Sequence, residues 1–263
     1  MEPGQPVDVD LERANVARIY DYWLGGAHHF AVDREQGDLI EASNPDARHS
    51  ARSNRAFLGR VVRWCLQRGV DQFLDLGSGV PTVGNVHEVA AALNPDARVA
   101  YVDMEPVAVA HASEILRDVD TATITGATLC EAEAVLAAPG VAGLLDFGRP
   151  VAVLALAVAH FVHGDLAAIF APYADVMARG SVLALSHVSD DQDDPELVGR
   201  IHAATEAYRG TASEVTLRSR TQLAEVLAGF DVVAPGIVDL TDWPTASPDA
   251  VPVGMYGVVG VKH

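Results

Sequence analysis

Apolar residues recur along the chain in short runs, and the stretches between the runs carry the spacing of amphipathic helices. The runs that predict strands lie at residues 73–76, 97–103, 121–127, 151–159 and 181–187. The helical patterns lie at about residues 84–93, 106–117, 131–138 and 165–179. Because strand, helix and strand at this spacing imply right-handed parallel crossovers, the chain is predicted to adopt a doubly wound α/β fold.

Two later apolar runs complete the predicted sheet. Residues 231–240 and 256–263 are separated by a Pro-rich loop and read as a closing pair of strands at one edge. We therefore expect a mostly parallel, seven-stranded, Rossmann-like sheet. Residues 1–70 are interpreted as an N-terminal helical region and residues 71–263 as the ligand-binding domain, the two forming one structural unit.

The turn after the first predicted strand is the most informative stretch of the sequence. In "FLDLGSGVPT", residues 73–82, the apolar run stops at Asp75, and Gly77, Ser78 and Gly79 follow before the next helix. Closely spaced glycines at a strand-to-helix turn allow the backbone to approach a bound nucleotide. This stretch predicts a nucleotide-type ligand.

A second acid ends the second predicted strand. Asp103 follows the glycine turn at close to the ~20-residue spacing of a carboxylate that accepts hydrogen bonds from ribose hydroxyls. In an open parallel sheet, ligands bind outside the carboxyl ends of the strands. The residues after Ala127 and those around His160 follow the third and fourth predicted strands. We therefore expect the ends of four strands to converge on one cleft.

Two classes of nucleotide cofactor use such a turn. A dinucleotide enzyme has G-x-G-x-x-G, but Thr82 stands where the last glycine belongs. An acid two residues before the first glycine fits S-adenosylmethionine better, because the amino-acid end of that cofactor carries an ammonium and the molecule has no pyrophosphate. The turn favours S-adenosylmethionine, with a nicotinamide oxidoreductase as the weaker alternative.

Charge and composition argue against several kinds of partner. The 263 residues carry a formal net charge of −18, which repels the phosphates of nucleic acids. The longest apolar run, residues 151–162, is shorter than the ~18 residues of a membrane span, and the N-terminus lacks the pattern of a secretory signal. Cys65 and Cys130 have no CxxC spacing, and the adjacent His28 and His29 have no further metal ligands at a suitable spacing. We expect a cytoplasmic protein without nucleic acid, membrane or metal, of undetermined oligomeric state.

Several stretches of the chain resemble one family. They include "ARIYDYWLGGAHHFAVDRE" (17–35), "QFLDLGSGVPTVGNVHEVA" (72–90), "ARVAYVDMEPVAVAHA" (97–112) and "LRSRTQLAEVLAGFDVVAPGIV" (217–238), and the likeness covers nearly the whole chain. The family is that of the actinobacterial S-adenosylmethionine-dependent methyltransferases long catalogued as a domain of unknown function. The resemblance implies a class I methyltransferase fold and binding of S-adenosylmethionine, with S-adenosylhomocysteine as product. It does not identify the methyl acceptor.

The resemblance also implies particular cofactor contacts. Asp103 matches the acid that holds the ribose, and Met104 is placed to cover the adenine. Thr128 and Leu129 stand where the family usually has Asp-Leu, and a threonine accepts a hydrogen bond from the adenine amino group without a charge. Weaker or altered cofactor binding is therefore expected. The residues that match the cofactor loop and the neighbouring strand end are Asp75, Gly77, Ser78, Gly79 and Ala157.

The N-terminal segment has two interpretations. Asp10 can cap a helix that passes Tyr20, Tyr22 and Trp23 and ends at Gly25. The tyrosines either dock this helix on the domain or form part of a lid that binds the cofactor, as N-terminal elements of class I folds often do. The side chains of the following loop that would then line the acceptor pocket are His28, His29, Asp33 and Arg34.

Methyl transfer requires a base only where the acceptor must lose a proton. His160 follows the fourth predicted strand, His187 ends the fifth and His28 lies on the lid loop, so each is a candidate base. Each is equally compatible with a structural role, and a carboxylate acceptor would need no base. The predicted function is methylation of a small molecule, and the alternative is a regulatory protein that binds the cofactor or S-adenosylhomocysteine without turnover.

An amphipathic helix with a basic face is predicted before the first strand. The basic face is either a solvated surface or an anion-binding face that recognises a carboxylate substrate. On a helical wheel it lies opposite Phe57, Val61 and Cys65. The arginines that form it are Arg48, Arg52, Arg55 and Arg63.

Overall fold

The computed structural model describes residues 10–82, 84–246 and 250–263. Its helices are α1 (Val16–Leu24), α2 (Ala31–Ser43), α3 (Ala47–Leu66), α4 (Val86–Ala91), α5 (Pro106–Ile115), α6 (Ala132–Ala137), α7 (Pro139–Ala142), α8 (Leu166–Val176), α9 (Pro195–Ala207) and α10 (Arg220–Val226). Its strands are β1 (Gln72–Leu76), β2 (Arg98–Asp103), β3 (Ala122–Gly126), β4 (Ala152–Leu156), β5 (Val182–Val188), β6 (Phe230–Val232), β7 (Val238–Asp239) and β8 (Met255–Lys262). Within these ranges, none of the helices combines the length and the apolar character that crossing a membrane requires.

The strands form one sheet in the order β3-β2-β1-β4-β5-β8-β6, and β7 also pairs with β8. Strands β1 to β5 are parallel, whereas β8 is antiparallel to its neighbours. Asp75 lies opposite Tyr101, and Asp103 lies opposite Gly126, so β1, β2 and β3 end at the same edge of the sheet. The predicted doubly wound, mostly parallel α/β fold is confirmed.

The closing edge differs in detail from its prediction. The run at residues 231–240 forms two short strands, β6 and β7, which pair with different parts of β8. Between them Pro235 has no N–H to donate to a ladder, and Gly236 has a φ of +103°. The predicted edge strand is thus broken by a turn, and the sheet has eight strands among the residues that the structure describes.

Alternate residues of the strands face two hydrophobic layers, because side chains of a strand point to opposite faces. Phe73 belongs to the layer that contains Phe57 and Cys65 of α3. Leu74 belongs to the opposite layer, which contains Phe170 of α8. The apolar face predicted for the basic helix therefore packs against the sheet.

A third cluster joins the N-terminal helices to α9. It contains Ile19 and Trp23 of α1, Ile40 of α2 and Ala204 of α9. Helix α3 ends at Leu66 before β1, so the boundary proposed at residue 70 falls in the connection between them. Residues 1–9 of the proposed N-terminal region lie outside the described residues.

Some local predictions in this region are wrong. The N-cap of α1 is Asn15, whose Oδ1 accepts a 2.8 Å hydrogen bond from the N–H of Ala17, whereas Asp10 caps the preceding turn. Asp33 and Arg34 lie in α2 and not on a loop. Gly25, with a φ of +82°, ends α1 as predicted.

The fourth strand is shorter than the predicted residues 151–159. It ends at Leu156 because Ala157 has a φ of +55°, which takes the backbone out of the extended conformation. Helices α9 and α10 had no counterpart in the sequence-based prediction. Both contribute to the architecture, and α9 forms a wall of the cavity described below.

Candidate active site

A cavity of about 660 Å³ opens at the carboxyl ends of β1, β2, β3 and β4. Side chains of α1, α2, α3 and α9 complete its walls. Parallel strands bring their carboxyl ends to one edge, which is why residues distant in sequence meet there. The sequence-predicted site residues that line the cavity are Tyr20, Asp75, Gly77, Ser78, Gly79, Asp103, Met104, Thr128, Leu129, Ala157 and His160.

The glycine turn after β1 requires glycine for two different reasons. Gly77 has a φ of +71°, and a Cβ on it would lie 2.2 Å from Cγ2 of Val158. Gly79 has a φ of +68°, but a Cβ there would meet nothing within 4 Å. Packing and conformation both exclude a side chain at Gly77, whereas at Gly79 only conformation does. The space beside Gly79 leaves the backbone accessible to a ligand.

Asp103 is fixed at the end of β2 by backbone donors. Its Oδ2 accepts a hydrogen bond from the N–H of Gly79 at 2.7 Å, and its Oδ1 accepts one from the N–H of Glu105 at 2.8 Å. Burial raises the pKa of Asp103, and these backbone N–H groups oppose the rise. Each carboxylate oxygen has a further lone pair, so Asp103 can still accept hydrogen bonds from two hydroxyls in the cavity.

Asp75 is a second buried carboxylate at the same edge. Burial raises the pKa of Asp75 to about 7. The guanidinium of Arg55 on α3 opposes this rise, because it stabilises the charged carboxylate. The nearby carboxylate of Asp103 adds to the rise. A cationic ligand at this position would restore the charge on Asp75, because opposite charges stabilise each other.

The loop after β3 lies at one end of the cavity. The Thr128 hydroxyl accepts a 3.3 Å hydrogen bond from the N–H of Cys130, and the Leu129 carbonyl accepts one of 2.8 Å from the Tyr173 hydroxyl. Met104 is 73% exposed on the neighbouring loop. The loop therefore offers a fixed backbone, an uncharged hydroxyl and an apolar side chain at the cavity mouth.

A chain of hydrogen bonds forms the wall between β4 and the N-terminal helices. The N–H of Ala157 donates to Ser186 Oγ at 2.8 Å, and the Ser186 hydroxyl donates to Asn54 Oδ1 at 2.5 Å. Asn54 Nδ2 donates to the Tyr20 hydroxyl at 3.0 Å, which donates to the Ala51 carbonyl at 2.8 Å. This network holds Ala157 in its left-handed conformation and fixes the Tyr20 ring against the cavity.

The two candidate histidines beyond β4 and β5 have different environments. His160 lines the cavity, and its buried Nδ1 has no hydrogen-bond partner among the described residues. His187 lies behind it, with ring centroids 5.6 Å apart. Burial lowers the pKa of both, that of His187 to about 4, so both rings are neutral.

Hydrogen bonds on both sides fix the tautomer of His187. Arg218 Nη1 lies 3.1 Å from Nε2 of His187, and Nδ1 lies 2.6 Å from the Val188 carbonyl oxygen. Because a guanidinium only donates, Nε2 is the acceptor and Nδ1 carries the proton. Both ring nitrogens are thus occupied, and His187 is outside the cavity lining.

Tyr22 and His28 also lie outside the cavity lining. The Tyr22 hydroxyl donates to Asp38 Oδ1 at 2.8 Å, and Arg48 Cζ lies 4.4 Å from its ring centroid. The His28 ring stacks on His111 of α5 at 3.4 Å. Of the two tyrosines, only Tyr20 therefore lines the cavity.

Buried side chains connect helix α1 to the loops that follow β1 and β2. Arg18 forms ion pairs with Asp33 of α2 at 2.8 Å and with Glu105, after β2, at 2.9 Å. The Thr82 hydroxyl, after β1, donates to Asp21 Oδ1 at 2.7 Å. These contacts place α1 directly over the ends of β1 and β2.

Away from these loops the cavity becomes a largely apolar chamber, whose polar lining residues are Asn44, Ser50, Thr205 and Tyr208. Its walls come from α1, α2, α3, α9 and the start of β8. Among the described residues that line the whole cavity, the arginine and the carboxylates are Arg55, Asp75, Asp103 and Glu105, all at the cofactor-loop end. The apolar residues that line the chamber are Trp23, Ile40, Leu58, Ile201, Val253 and Met255. Sequence reasoning missed the contribution of α9, although Asp194, Pro195 and apolar residues at helical spacing mark that helix.

The residues at the strand ends fit S-adenosylmethionine. The open backbone beside Gly79 leaves room for a ligand, and the fixed carboxylate of Asp103 can accept hydrogen bonds from a ribose diol. Asp75 offers a buried negative charge for an ammonium. A pyrophosphate would instead face Asp75 and Asp103, and two carboxylates disfavour such an anion.

Comparison with solved structures finds the same fold. A protein of Thermobifida fusca described as a methyltransferase is 31% identical, with a TM-score of 0.90 and coverage of 99% of each chain. A protein of the DUF574 family from Streptomyces avermitilis is 30% identical, with a TM-score of 0.89 and coverage of 97% of this chain and 99% of the other. The CurJ carbon methyltransferase is 17% identical, with a TM-score of 0.52 over 86% of this chain and 58% of its own, and shares the fold alone.

The chain also matches a family over most of its length. Residues 3–263 match the family described as S-adenosyl methyltransferase. Among curated proteins, no match was found. The family resemblance, the class I fold and the cofactor predicted from the sequence are confirmed. The chain belongs to the S-adenosyl methyltransferase family and is an S-adenosylmethionine-dependent methyltransferase.

Proposed function

We propose that this methyltransferase acts on a small, uncharged and largely apolar molecule. The observation that carries the proposal is the distribution of charge in the cavity: the arginine and the carboxylates lie at the cofactor-loop end, and the described residues that line the chamber beyond are uncharged and mostly apolar. Burying a charged acceptor among apolar side chains without a partner costs several kcal/mol, roughly the penalty of an unpaired buried charge. An apolar acceptor meets no such penalty.

The cofactor is proposed to lie across the strand ends in the order in which the strands neighbour each other. The adenine lies at Thr128 and Leu129, after β3, with Met104 against it. The ribose lies at Asp103, after β2, and the amino-acid end lies at Asp75, in β1. This order directs the amino-acid end toward α3 and the apolar chamber.

The other residues of the proposed cofactor site act through backbone and packing. Gly77, Ser78 and Gly79 form the turn against the cofactor, and Ala157 closes the site at the end of β4. Tyr20, held by Asn54 and Ala51, forms the wall on the side of α1. Tyr22, His28 and His187 are left out of the proposed site because their side chains lie outside the cavity lining.

The chemistry depends mainly on positioning. When bound, S-adenosylmethionine supplies an electrophilic methyl group on a sulfonium that is already a good leaving group. The chamber holds the acceptor beside the amino-acid end of the cofactor site, and helices α1, α2 and α9 form its walls. Holding two reactants in line supplies much of the rate enhancement that such a reaction requires.

His160 is proposed to orient the acceptor. Burial first, and then His187 and Arg218, lowers the pKa of His160 well below its usual range. An imidazole with so low a pKa is a poor carrier of a full proton, but it accepts a hydrogen bond from a hydroxyl or a neutral N–H group of the acceptor. We therefore assign to His160 a positioning role through that hydrogen bond.

The cellular setting completes the proposal. A net charge of −18 disfavours a nucleic-acid substrate. Cys65 and Cys130 are free thiols, and Cys130 is exposed, which is typical of proteins in a reducing compartment. We propose a cytoplasmic enzyme with a small-molecule acceptor, in which residues 1–70 form the helical cover of the domain at 71–263.

A labelling screen tests the acceptor class. The enzyme is incubated with a small-molecule extract and S-adenosylmethionine that carries a deuterated methyl group, and products are identified by mass spectrometry. Products that gain the labelled methyl should derive from molecules uncharged at pH 7, and the Asp103→Ala variant should form fewer of them. Labelling confined to charged metabolites or to macromolecules would contradict the proposal.

A further inference from the structure

Arg55 is a partly enclosed cation whose charge no carboxylate of the described structure balances directly. It lies on α3 and lines the cavity at the end where Asp75 is found. Within residues 10–82, 84–246 and 250–263, no carboxylate oxygen lies within 4.0 Å of its guanidinium nitrogens. Its buried Nε also has no hydrogen-bond partner there. Such an arrangement leaves the guanidinium available to an anion in the cavity.

Other enclosed arginines have charged or carbonyl partners, and Arg200, whose buried Nε also has no hydrogen-bond partner among the described residues, still pairs with Asp46 at 3.5 Å. Arg18 pairs with two carboxylates, and Arg48 pairs with Glu41 at 2.7 Å. Arg60 and Arg218 donate to backbone carbonyls. Among the arginines predicted to form the basic face, Arg52 and Arg63 are exposed to solvent. Arg55 therefore differs from its neighbours in position and in lack of a partner.

The Arg55 side chain lies between Tyr20 and the loop after β1, and its charge acts on Asp75. Its Cζ lies 5.8 Å from the ring centroid of Tyr20, and that ring is fixed through its hydroxyl. A Cβ on Gly84 would lie 3.9 Å from Arg55 Cδ, so the backbone after β1 bounds the aliphatic part. A cation and a carboxylate thus face the same end of the cavity.

We propose that Arg55 binds the carboxylate of the methionine part of S-adenosylmethionine. The inference rests on the proposed placement of the cofactor ammonium at Asp75. The ammonium and the carboxylate of an amino acid are attached to one carbon, so a site for it must present an anion and a cation side by side. Asp75 and Arg55 do so, and Arg55 is the only lysine or arginine among the described residues that line the cavity.

The same residue could serve a different anion. A carboxylate on the methyl acceptor would also be attracted to Arg55, and it would leave the cofactor carboxylate without a cation in the described cavity. Burying an unpaired carboxylate is unfavourable, so the cofactor carboxylate is the favoured partner of Arg55. This alternative becomes one outcome of the test.

The test compares two cofactor forms by isothermal titration calorimetry without any acceptor. Decarboxylated S-adenosylmethionine keeps the ammonium, the sulfonium, the ribose and the adenine, and it lacks only the carboxylate. The wild type should bind S-adenosylmethionine about 10-fold to 100-fold more tightly than the decarboxylated form, as expected of hydrogen bonds to a charged group. Arg55→Gln should bind the two forms with nearly equal affinity.

Two further variants control for structural effects. Arg52→Gln, on the exposed face of the same helix, should retain the wild-type preference. Arg55→Lys keeps the charge without the planar guanidinium and should retain part of the preference. Circular dichroism and thermal unfolding verify that each variant is folded, and the ratio of two affinities is insensitive to a shared loss of active protein.

The outcomes are distinguishable. Equal loss of both ligands in Arg55→Gln would assign Arg55 a structural role and overturn the inference. If Arg55→Gln kept the wild-type preference for S-adenosylmethionine over the decarboxylated form, the inference would also be overturned. Arg55 would then be assigned to the methyl acceptor. Failure of the wild type to bind either S-adenosylmethionine or S-adenosylhomocysteine would overturn the proposed cofactor site itself, and the inference with it.

Discussion

The hydroxyl of Thr82 donates a 2.7 Å hydrogen bond to the buried carboxylate of Asp21, and this bond joins the loop after β1 to α1. Thr82 occupies the position at which a dinucleotide-binding turn has its last glycine. Asp21 also accepts a 2.8 Å hydrogen bond from the N–H of His28, on the loop that follows the helix. The departure from the dinucleotide pattern therefore has a structural use, which is to attach the N-terminal cover to the cofactor loop.

Replacing Thr82 with valine should loosen that attachment. Thr82→Val removes one donor from the Asp21 carboxylate, and hydrogen bonds to charged groups contribute about 1.5–3 kcal/mol. We expect a lower free energy of unfolding in urea and faster hydrogen exchange over residues 17–35. With S-adenosylhomocysteine bound, the wild type should show slower exchange over the same residues, because cofactor and cover meet at the cavity.

A matched control is available for this variant. Thr241→Val removes a hydrogen bond of 2.7 Å to Asp239, which is of the same kind but lies away from the cavity. It should leave exchange over residues 17–35 unchanged. Equal exchange over residues 17–35 in the two variants would contradict the role assigned to Thr82.

Asp103 should control the affinity for the ribose. Asp103→Ala removes the acceptor for the ribose hydroxyls and should weaken binding of S-adenosylhomocysteine by about 1.5–3 kcal/mol in calorimetry. The substitution also removes the acceptor of the Gly79 and Glu105 N–H groups, so some stability should be lost as well. Asp118→Ala, at an exposed position, is the control for a lost charge. Unchanged affinity in folded Asp103→Ala would shift the ribose contact to Glu105.

The cofactor end of the site was predictable because it depends on backbone topology. Once parallel strands are recognised, Asp75, Asp103, Thr128 and Ala157 must approach one another, since each follows or ends a strand at one edge. Glycines at a strand-to-helix turn carry a similarly local signal. The sequence therefore predicts this half of the cavity before any side-chain packing is considered.

The errors concern side-chain direction. Residues two apart on a helix point about 200° apart, so Tyr20 and Tyr22 could not both face the cavity. Adjacent residues of a strand face opposite sides, and at the end of β5 Val188 lines the cavity while His187 does not. The periodicities of helix and strand follow from the sequence alone. Which face of each element lines the cavity depends on how α1 docks and on where β5 ends.

The special role of Arg55 was harder to predict. A helical wheel places it with Arg48 and Arg52 but does not show which arginine finds a carboxylate nearby. Arg48 meets Glu41 because α2 folds back against α3, whereas Arg55 lies beside Tyr20 of α1, where both line the cavity. Such pairings depend on helix packing, which hydrophobic periodicity does not define.

The buried histidine His187 should make the protein sensitive to acid. Its pKa is lowered to about 4 by burial, so the unfolded chain binds a proton at a higher pH than the folded chain does. Stability is then lost as the pH falls below the ordinary histidine value of about 6.5, by at most about 1.4 kcal/mol per pH unit for this group. His160, whose pKa is also lowered, adds to the same trend.

The variant His187→Asn separates this contribution from the rest. It should be less stable than the wild type at pH 8, because contacts with Val188 and Arg218 are lost. Between pH 6.5 and pH 4.5, however, its free energy of unfolding in urea should fall less steeply. His49→Asn, at an exposed position, should keep the wild-type slope. Parallel pH profiles for the wild type and His187→Asn would contradict a buried neutral His187.

Asp75 should make cofactor binding weaken as the pH falls. Its pKa of about 7 arises from burial, with Arg55 opposing and Asp103 adding to the rise, so below pH 7 the empty site holds Asp75 protonated. An ammonium favours the carboxylate, so binding must release that proton, and affinity for S-adenosylhomocysteine should fall by up to about tenfold per pH unit below 7. Calorimetry at pH 5.5, 6.5 and 7.5 measures this dependence, and buffers of different ionisation enthalpy measure the released proton. Asp75→Asn should bind S-adenosylhomocysteine weakly, with an affinity that does not change with pH. A wild-type affinity that is constant over this range would contradict the placement of the ammonium at Asp75.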